Sequence, residues 1–270
     1  MDLKIFAPLW GSEQMDFATF ADRVAEAGYD GVELSFPLHD EAVREKAVRI
    51  LKERNLALIA QHWQTINPNI AEHIEEFLAH LNWLADTEPL FINSQTGRDW
   101  FSVADNLRII EAAARFSEET GIRVLHETHR GKSLFCATRT MEILEAEASM
   151  RITADFSHWC TVSESWLEDQ QATVAQAIAR ADHIHARVGH PEGPQVTDPR
   201  APEWQDALHA HLAWWDAIAE TKKASGERLT ITSEFGPFPY MPTLPYTRQP
   251  IADQWEINVH MMNLLRQRYQ

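Results

Sequence analysis

Short runs rich in β-branched, leucine and aromatic residues alternate eight times along the chain with longer runs whose apolar positions recur at three-and-four spacing. The short runs predict strands at residues 3–10, 30–37, 56–63, 89–97, 123–129, 151–159, 182–189 and 228–236. The longer runs predict helices: "FATFADRVAEAGYDG", with Gly28 as a C-cap, then "NIAEHIEEFLAHLNWLAD", "DNLRIIEAAARFSEETG" and "QDALHAHLAWWDAIAETKKASG". Eight strand–helix units in this length predict an α/β fold, a single (β/α)8 TIM barrel covering residues 1–270. A doubly wound open sheet is the runner-up, but its GxGxxG turn is absent.

Two segments break the rhythm, 190–202 and 237–250, and nine of the thirteen prolines fall between Pro191 and Pro250. They follow the seventh and eighth strands, on the side where a barrel keeps its binding loops, and exceed the usual length of ~2–6 residues.

Composition narrows the function. With 270 residues and 44% hydrophobic content the chain can build a sizeable core. A formal charge of −16 repels phosphate backbones, which argues against nucleic acid as a partner. Cys136 and Cys160 have no CxxC spacing, consistent with a reducing compartment and no thiolate metal site. The start "MDLKIFAPLW" carries no signal-peptide pattern and no apolar run spans a membrane, so a cytoplasmic location is expected. Trp214 and Trp215 are adjacent and cannot both face a core squarely, which leaves one for partial exposure or for an interface in a homo-oligomer.

The chemistry lies where charge is least expected. Barrel strands are buried on both faces, and a charged group there costs several kcal/mol unless paired or metal-bound. Yet "HETH" puts Glu127 and His129 on one face of the fifth strand, and the sixth run brings Asp155 and then His158. Asp155 and His158 converge only if the strand ends near Phe156 and the chain turns. "HIHAR" aligns His183, His185 and Arg187, and "TITSE" aligns Thr230, Thr232 and Glu234. Taken singly, Glu127 has Arg130 or Arg187 as an ion-pair partner and Asp155 sits where a helix cap would. Taken together, Glu127, Asp155, His185 and Glu234 form an oxygen-rich set with one imidazole, suited to one divalent ion: Mn, Co, Zn or Mg. His183, further from its strand's end, fits a supporting role.

The motifs "GYDGVEL", "HET", "DFSHW", "HIHAR" and "SEFGP", in this order, resemble the sugar phosphate isomerase/epimerase family of xylose isomerase-like barrels. The resemblance covers nearly the whole chain. It implies a metal held by Glu127, Asp155, His185 and Glu234, with Glu127 and Glu234 as the acid–base pair and His158 on the substrate. The family's ketose epimerases place a substrate arginine further beyond the HxH motif than Arg187 stands. They also carry a further glutamate where this chain reads "THRGKSLF", which separates it from a close 3-epimerase match.

Such a site predicts a divalent-metal-dependent isomerase or epimerase of a sugar, keto-sugar or small hydroxy-carbonyl compound, working by proton abstraction and a metal-stabilised enediolate. A lyase on the same site, inosose dehydratase-like or eliminating from a 3-keto-glycoside, is the alternative. A nuclease resembling endonuclease IV conflicts with the acidic charge, and a decayed, non-catalytic barrel conflicts with the complete ligand set. The substrate is expected to be a small sugar or polyol, unphosphorylated because the last two loops offer no clear phosphate nest. Arg187, Glu33 and His62 are substrate-binding candidates, the last two as a mutual pair. Trp10, Trp63 and Trp159 either stack on sugar C–H faces or fill the barrel mouth. Asn93, Gln95 and Arg98 are polar groups near the fourth strand's end.

Overall fold

The computed structural model describes residues 1–270. Eight parallel strands close into a barrel in chain order: β1 (Asp2–Pro8), β2 (Gly31–Leu34), β3 (Ala57–His62), β4 (Ile92–Ser94), β5 (Val124–Glu127), β6 (Ile152–Ala154), β7 (Ala181–His185) and β8 (Arg228–Thr232). Around them run α1 (Phe17–Ala27), α2 (Glu41–Glu53), α3 (Ile70–Ala85), α4 (Val103–Thr120), α5 (Ala137–Ala146), α6 (Phe156–Ser163), α7 (Gln171–Arg180), α8 (Gln205–Ser225) and α9 (Gln254–Tyr269). The expected barrel is present. No helix is long and apolar enough to cross a membrane. Both cysteines are free.

The strands are shorter than their sequence runs, because the polar C-terminal ends leave the hydrogen-bonded ladder. The sixth run needs a correction. Residues 151–159 are not one strand: β6 stops at Ala154 and α6 begins at Phe156. Asp155 is the N-cap between them, and its carboxylate accepts the Ser157 N–H at 3.0 Å. This turn brings His158 back to within 3.6 Å of Asp155.

The main apolar core lies between the barrel and its helices. Inside the barrel, Phe6, Ile59, Phe91 and Leu125 make a separate small plug. Gly31 permits it: a Cβ there would stand 2.6 Å from the Phe6 ring and 2.2 Å from the Ala57 carbonyl. Because side chains alternate, the inward positions two residues further along are Glu33, Gln61, Asn93 and Glu127. The plug therefore sets which residues of each strand form the layer above it.

Trp215 is fully buried and Trp214 half-buried against Phe156, so the adjacent pair divides between the core and the partly exposed helix face. At the N-terminal ends of the strands, Asp182 accepts from Arg123 Nη1 at 2.9 Å, Arg151 Nη2 at 2.6 Å and the buried Lys222 ammonium. Burial alone would raise its carboxyl; the hydrogen bonds from Arg151 and Lys222 outweigh burial and hold it below the usual carboxylate range. Asp182→Asn removes the buried carboxylate partner of the buried Lys222, which keeps only the exposed Glu227, and is expected to cost about 1–3 kcal/mol in thermal or denaturant unfolding. The wild-type contribution is complete above the unfolded carboxyl pKa of ~3.9 and is lost as pH falls through the lower folded value. A variant as stable as wild type at neutral pH contradicts this role.

Candidate metal and substrate site

Four strand ends deliver the expected ligands to one place. Glu127 is the last residue of β5, Asp155 follows β6, His185 ends β7 and Glu234 lies just beyond β8. All four are buried, and one ligand atom from each lies within 4.8 Å of all the others. His185 Nδ1 is 2.7 Å from Glu234 Oε2 and 3.7 Å from Glu127 Oε1. Nδ1 and Oε2 are also buried atoms without a hydrogen-bond partner. Unpaired buried polar atoms are rare, and two of them at one point need a shared partner. A divalent cation fits: three carboxylates and one imidazole nitrogen suit Mn, Mg, Co or Zn.

The protonation of the site carries the same message. Burial raises the Asp155 carboxyl; Arg187 opposes this, Glu234 and Glu127 add to it, and the balance leaves it at about 7. Burial disfavours the charged form of His185, but Glu234, Glu33 and Glu127 outweigh it and hold its pKa well above the usual value.

Arg187 is buried beside the ligands. Its Nη2 donates to Asp155 and to His158 Nε2, Nε donates to Ser157 Oγ at 3.2 Å, and Nη1 is 3.5 Å from Glu234. Its guanidinium lies 4.8 Å from the Tyr240 ring centre. His158 is fully buried, with its ring 3.9 Å from that of His129. It touches the cluster, but His129 and Arg187, not His158, line the cavity.

That cavity, about 620 Å³, opens above the ligands. Its wall includes Glu33, Arg187 and Glu234, the glutamines Gln61, Gln64 and Gln95, and the aromatics Trp10, Trp63 and Tyr240. Trp10 meets Tyr240 edge-on at 5.0 Å. Gly236 makes room for Trp10, since a Cβ there would stand 2.1 Å from the indole.

Two expected substrate residues stand elsewhere. His62 faces outward: Nδ1 meets Ser94 Oγ at 3.0 Å, Nε2 meets Thr65 Oγ1 at 2.8 Å, and its ring packs on Phe77. It is not paired with Glu33, which meets His183 and His185 instead. Alternation explains the correction: Ile59 points inward, so Gln61 does too and His62 does not. Trp159 lies on α6, fully buried, with Nε1 donating to the Leu134 carbonyl at 2.9 Å. Asn93 sits buried beneath the ligands, Gln95 lines the cavity, and Arg98 does neither.

Residues 190–202 also leave the cavity wall. Gln195 is hydrogen-bonded both ways to the Gly236 backbone, at 2.7 and 3.1 Å, so this loop braces the segment behind Trp10. The later loop contributes Tyr240. Sequence reasoning missed Gln61, Gln64 and Tyr240; only Gln61 had a signal, the strand parity.

No family model and no curated protein matches the sequence. Solved structures do match its fold. The probable 3-DHS dehydratase AsbF from Bacillus anthracis is 18% identical, with a TM-score of 0.61 over 98% of this chain and 99% of that one. D-allulose 3-epimerase from Methylomonas sp., in complex with D-allulose, is 16% identical, with a TM-score of 0.61 over 99% and 98%. An L-ribulose 3-epimerase is 14% identical, with a TM-score of 0.64 over 99% and 94%. These likenesses carry the fold, a barrel shared along its full length with sugar epimerases and a probable dehydratase.

Ligation of a metal by Asp155 and His185 requires both to give up protons that they hold in the metal-free fold below about pH 7. Titrating metal-free protein with Mn²⁺ at pH 6 is expected to release roughly one proton or more per ion. Calorimetry in buffers of different ionisation enthalpy would read this, with affinity rising as pH approaches 7. Identical heats in all buffers would contradict it.

Proposed function

We propose that this chain is a divalent-metal-dependent isomerase or epimerase of an uncharged sugar, keto-sugar or small hydroxy-carbonyl compound, acting by proton abstraction beside the carbonyl. The observation that carries this reading is the convergence of Glu127, Asp155, His185 and Glu234, with two unpartnered ligand atoms, under a cavity of sugar-accepting character. When bound, the cation supplies positive charge to adjacent carbonyl and hydroxyl oxygens as the neighbouring carbon loses its proton.

The protein's own groups do the rest. Glu127 ends β5 and Glu234 lies just beyond β8, separated around the barrel by β6 and β7, so one removes a proton from the substrate carbon and the other returns one. Arg187 holds a substrate oxygen at the cavity wall, and Gln61, Gln64 and Gln95 offer neutral hydrogen bonds. The faces of Trp10, Trp63 and Tyr240 suit sugar C–H groups. Arg187 is the one arginine or lysine lining the cavity, and Asp155 already pairs with it. A phosphate would find no free cation there, which favours an unphosphorylated substrate.

A lyase is the second reading. Its supporting observation is the likeness to the probable dehydratase over 98% of the chain. In a lyase, the carbanion would expel a neighbouring oxygen instead of regaining a proton.

The test is elemental analysis of protein purified without added metal or chelator, followed by a keto-sugar screen in D₂O. Near one equivalent of Mn, Co, Zn or Mg is expected, absent from Asp155→Ala. Solvent deuterium is expected at a substrate carbon, slowed about 10²–10⁴-fold in Glu127→Gln and Glu234→Gln. An α,β-unsaturated product in place of an isomer would select the lyase. Failure to bind metal after reconstitution would reject both readings.

A further inference from the structure

Glu33 enters the barrel from β2, facing the ligand set, and is 3% exposed. His185 Nε2 lies 3.1 Å from each of its carboxylate oxygens. His183 Nε2 lies 3.2 Å from Oε2, the Asn93 amide donates to Oε1 at 2.8 Å, and the Thr232 hydroxyl donates to Oε2. A carboxylate has about four lone-pair sites, and here four side chains address them. Little capacity is left for a substrate hydroxyl, although Glu33 borders the cavity.

A carboxylate only accepts hydrogen bonds, so the His185 nitrogen facing it carries the hydrogen. That nitrogen is Nε2. When the charged imidazole gives up one proton to a metal, Glu33 keeps the Nε2 hydrogen, and the lone pair appears on Nδ1, the atom that faces Glu234 and Glu127, the other members of the set, and has no hydrogen-bond partner. The Asn93 amide adds a link, donating to Glu127 Oε2 at 3.1 Å as well as to Glu33. One buried carboxylate thus orients the imidazole and, through Asn93, one oxygen of the first glutamate.

We propose that Glu33 is the positioning residue of the metal site: it fixes His185 as the Nε2–H tautomer, so that metal is taken through Nδ1. This rests on the metal-dependent reading above and adds a residue outside the ligand set. A competing assignment would make Glu33, His183 and His185 ligands of a second ion, since their atoms also lie within 4.8 Å of one another. The hydrogen bonds decide against it. Asn93 and Thr232 already donate to the two Glu33 oxygens, and an ion here would compete with both for their acceptor.

The experiment compares wild type, Glu33→Gln and Glu33→Asp by Mn²⁺ titration, by melting temperature without metal, and by ¹⁵N NMR of histidine-labelled, Zn²⁺-loaded protein. The wild type is expected to show a histidine with metal on Nδ1 and hydrogen on Nε2. Glu33→Gln is expected to weaken Mn²⁺ about 10–100-fold, the usual effect of removing such a partner, and Glu33→Asp to recover part of the loss. Wild-type affinity in Glu33→Gln, or His185 ligating through Nε2, would overturn the proposal while leaving metal dependence intact. A Glu33→Gln chain that fails to fold leaves the wild-type NMR signature to decide. A wild type that takes up no metal would overturn both readings.

Discussion

Buried negative charge inside a closed barrel is the constraint from which the rest follows. Glu33, Glu127, Asp155 and Glu234 are all buried, and each would cost several kcal/mol if left unpaired. Arg187 is their one buried arginine, and His185 stands between three of them. Even with His185 charged, the carboxylates outnumber these cations by two. The lower carboxylate, Glu33, is satisfied by hydrogen bonds. Of the upper three, Asp155 accepts from Ser157 and Arg187 and Glu127 accepts from Asn93, but Glu234 Oε2 and His185 Nδ1 remain without partners. A divalent cation would supply the missing charge and the missing partner together.

The barrel makes this arrangement possible by dividing its interior into layers. Phe6, Ile59, Phe91 and Leu125 close the middle, and Gly31 gives the Phe6 ring its space. Below them, at the N-terminal ends of the strands, Asp182 gathers three cations into a clamp. Above them, the same alternation that hides Leu125 presents Glu127. Stability sits at one end and chemistry at the other, with a dry layer between.

Much of this was legible in the sequence because charge stands out in strands that should be apolar. The strand runs could be read from the alternation of short and long apolar patterns, the sixth running past its true end at Ala154, and the four side chains that cluster could be read from "HET", "DFSH", "HIH" and "SEF". What was not legible depended on parity or on packing between distant elements. His62 and Gln61 are neighbours, and only the inward position of Ile59 decides which one reaches the cavity. Trp159 follows His158 directly, yet α6 turns its indole toward Leu134. The partners of Glu33 come from β4, β7 and β8, so its link to His185 spans 152 positions of chain. Tyr240 belongs to a loop with no periodic pattern, and its place beside Trp10 comes from tertiary contact alone.

The central claim is that these four side chains share one ion. The most direct measurement is anomalous diffraction from a crystal of the Mn²⁺-loaded protein. The account predicts one strong peak within about 2.0–2.3 Å of Glu127, Asp155, Glu234 and His185 Nδ1. No peak at that point under saturating Mn²⁺, or a peak held by other residues, would contradict it.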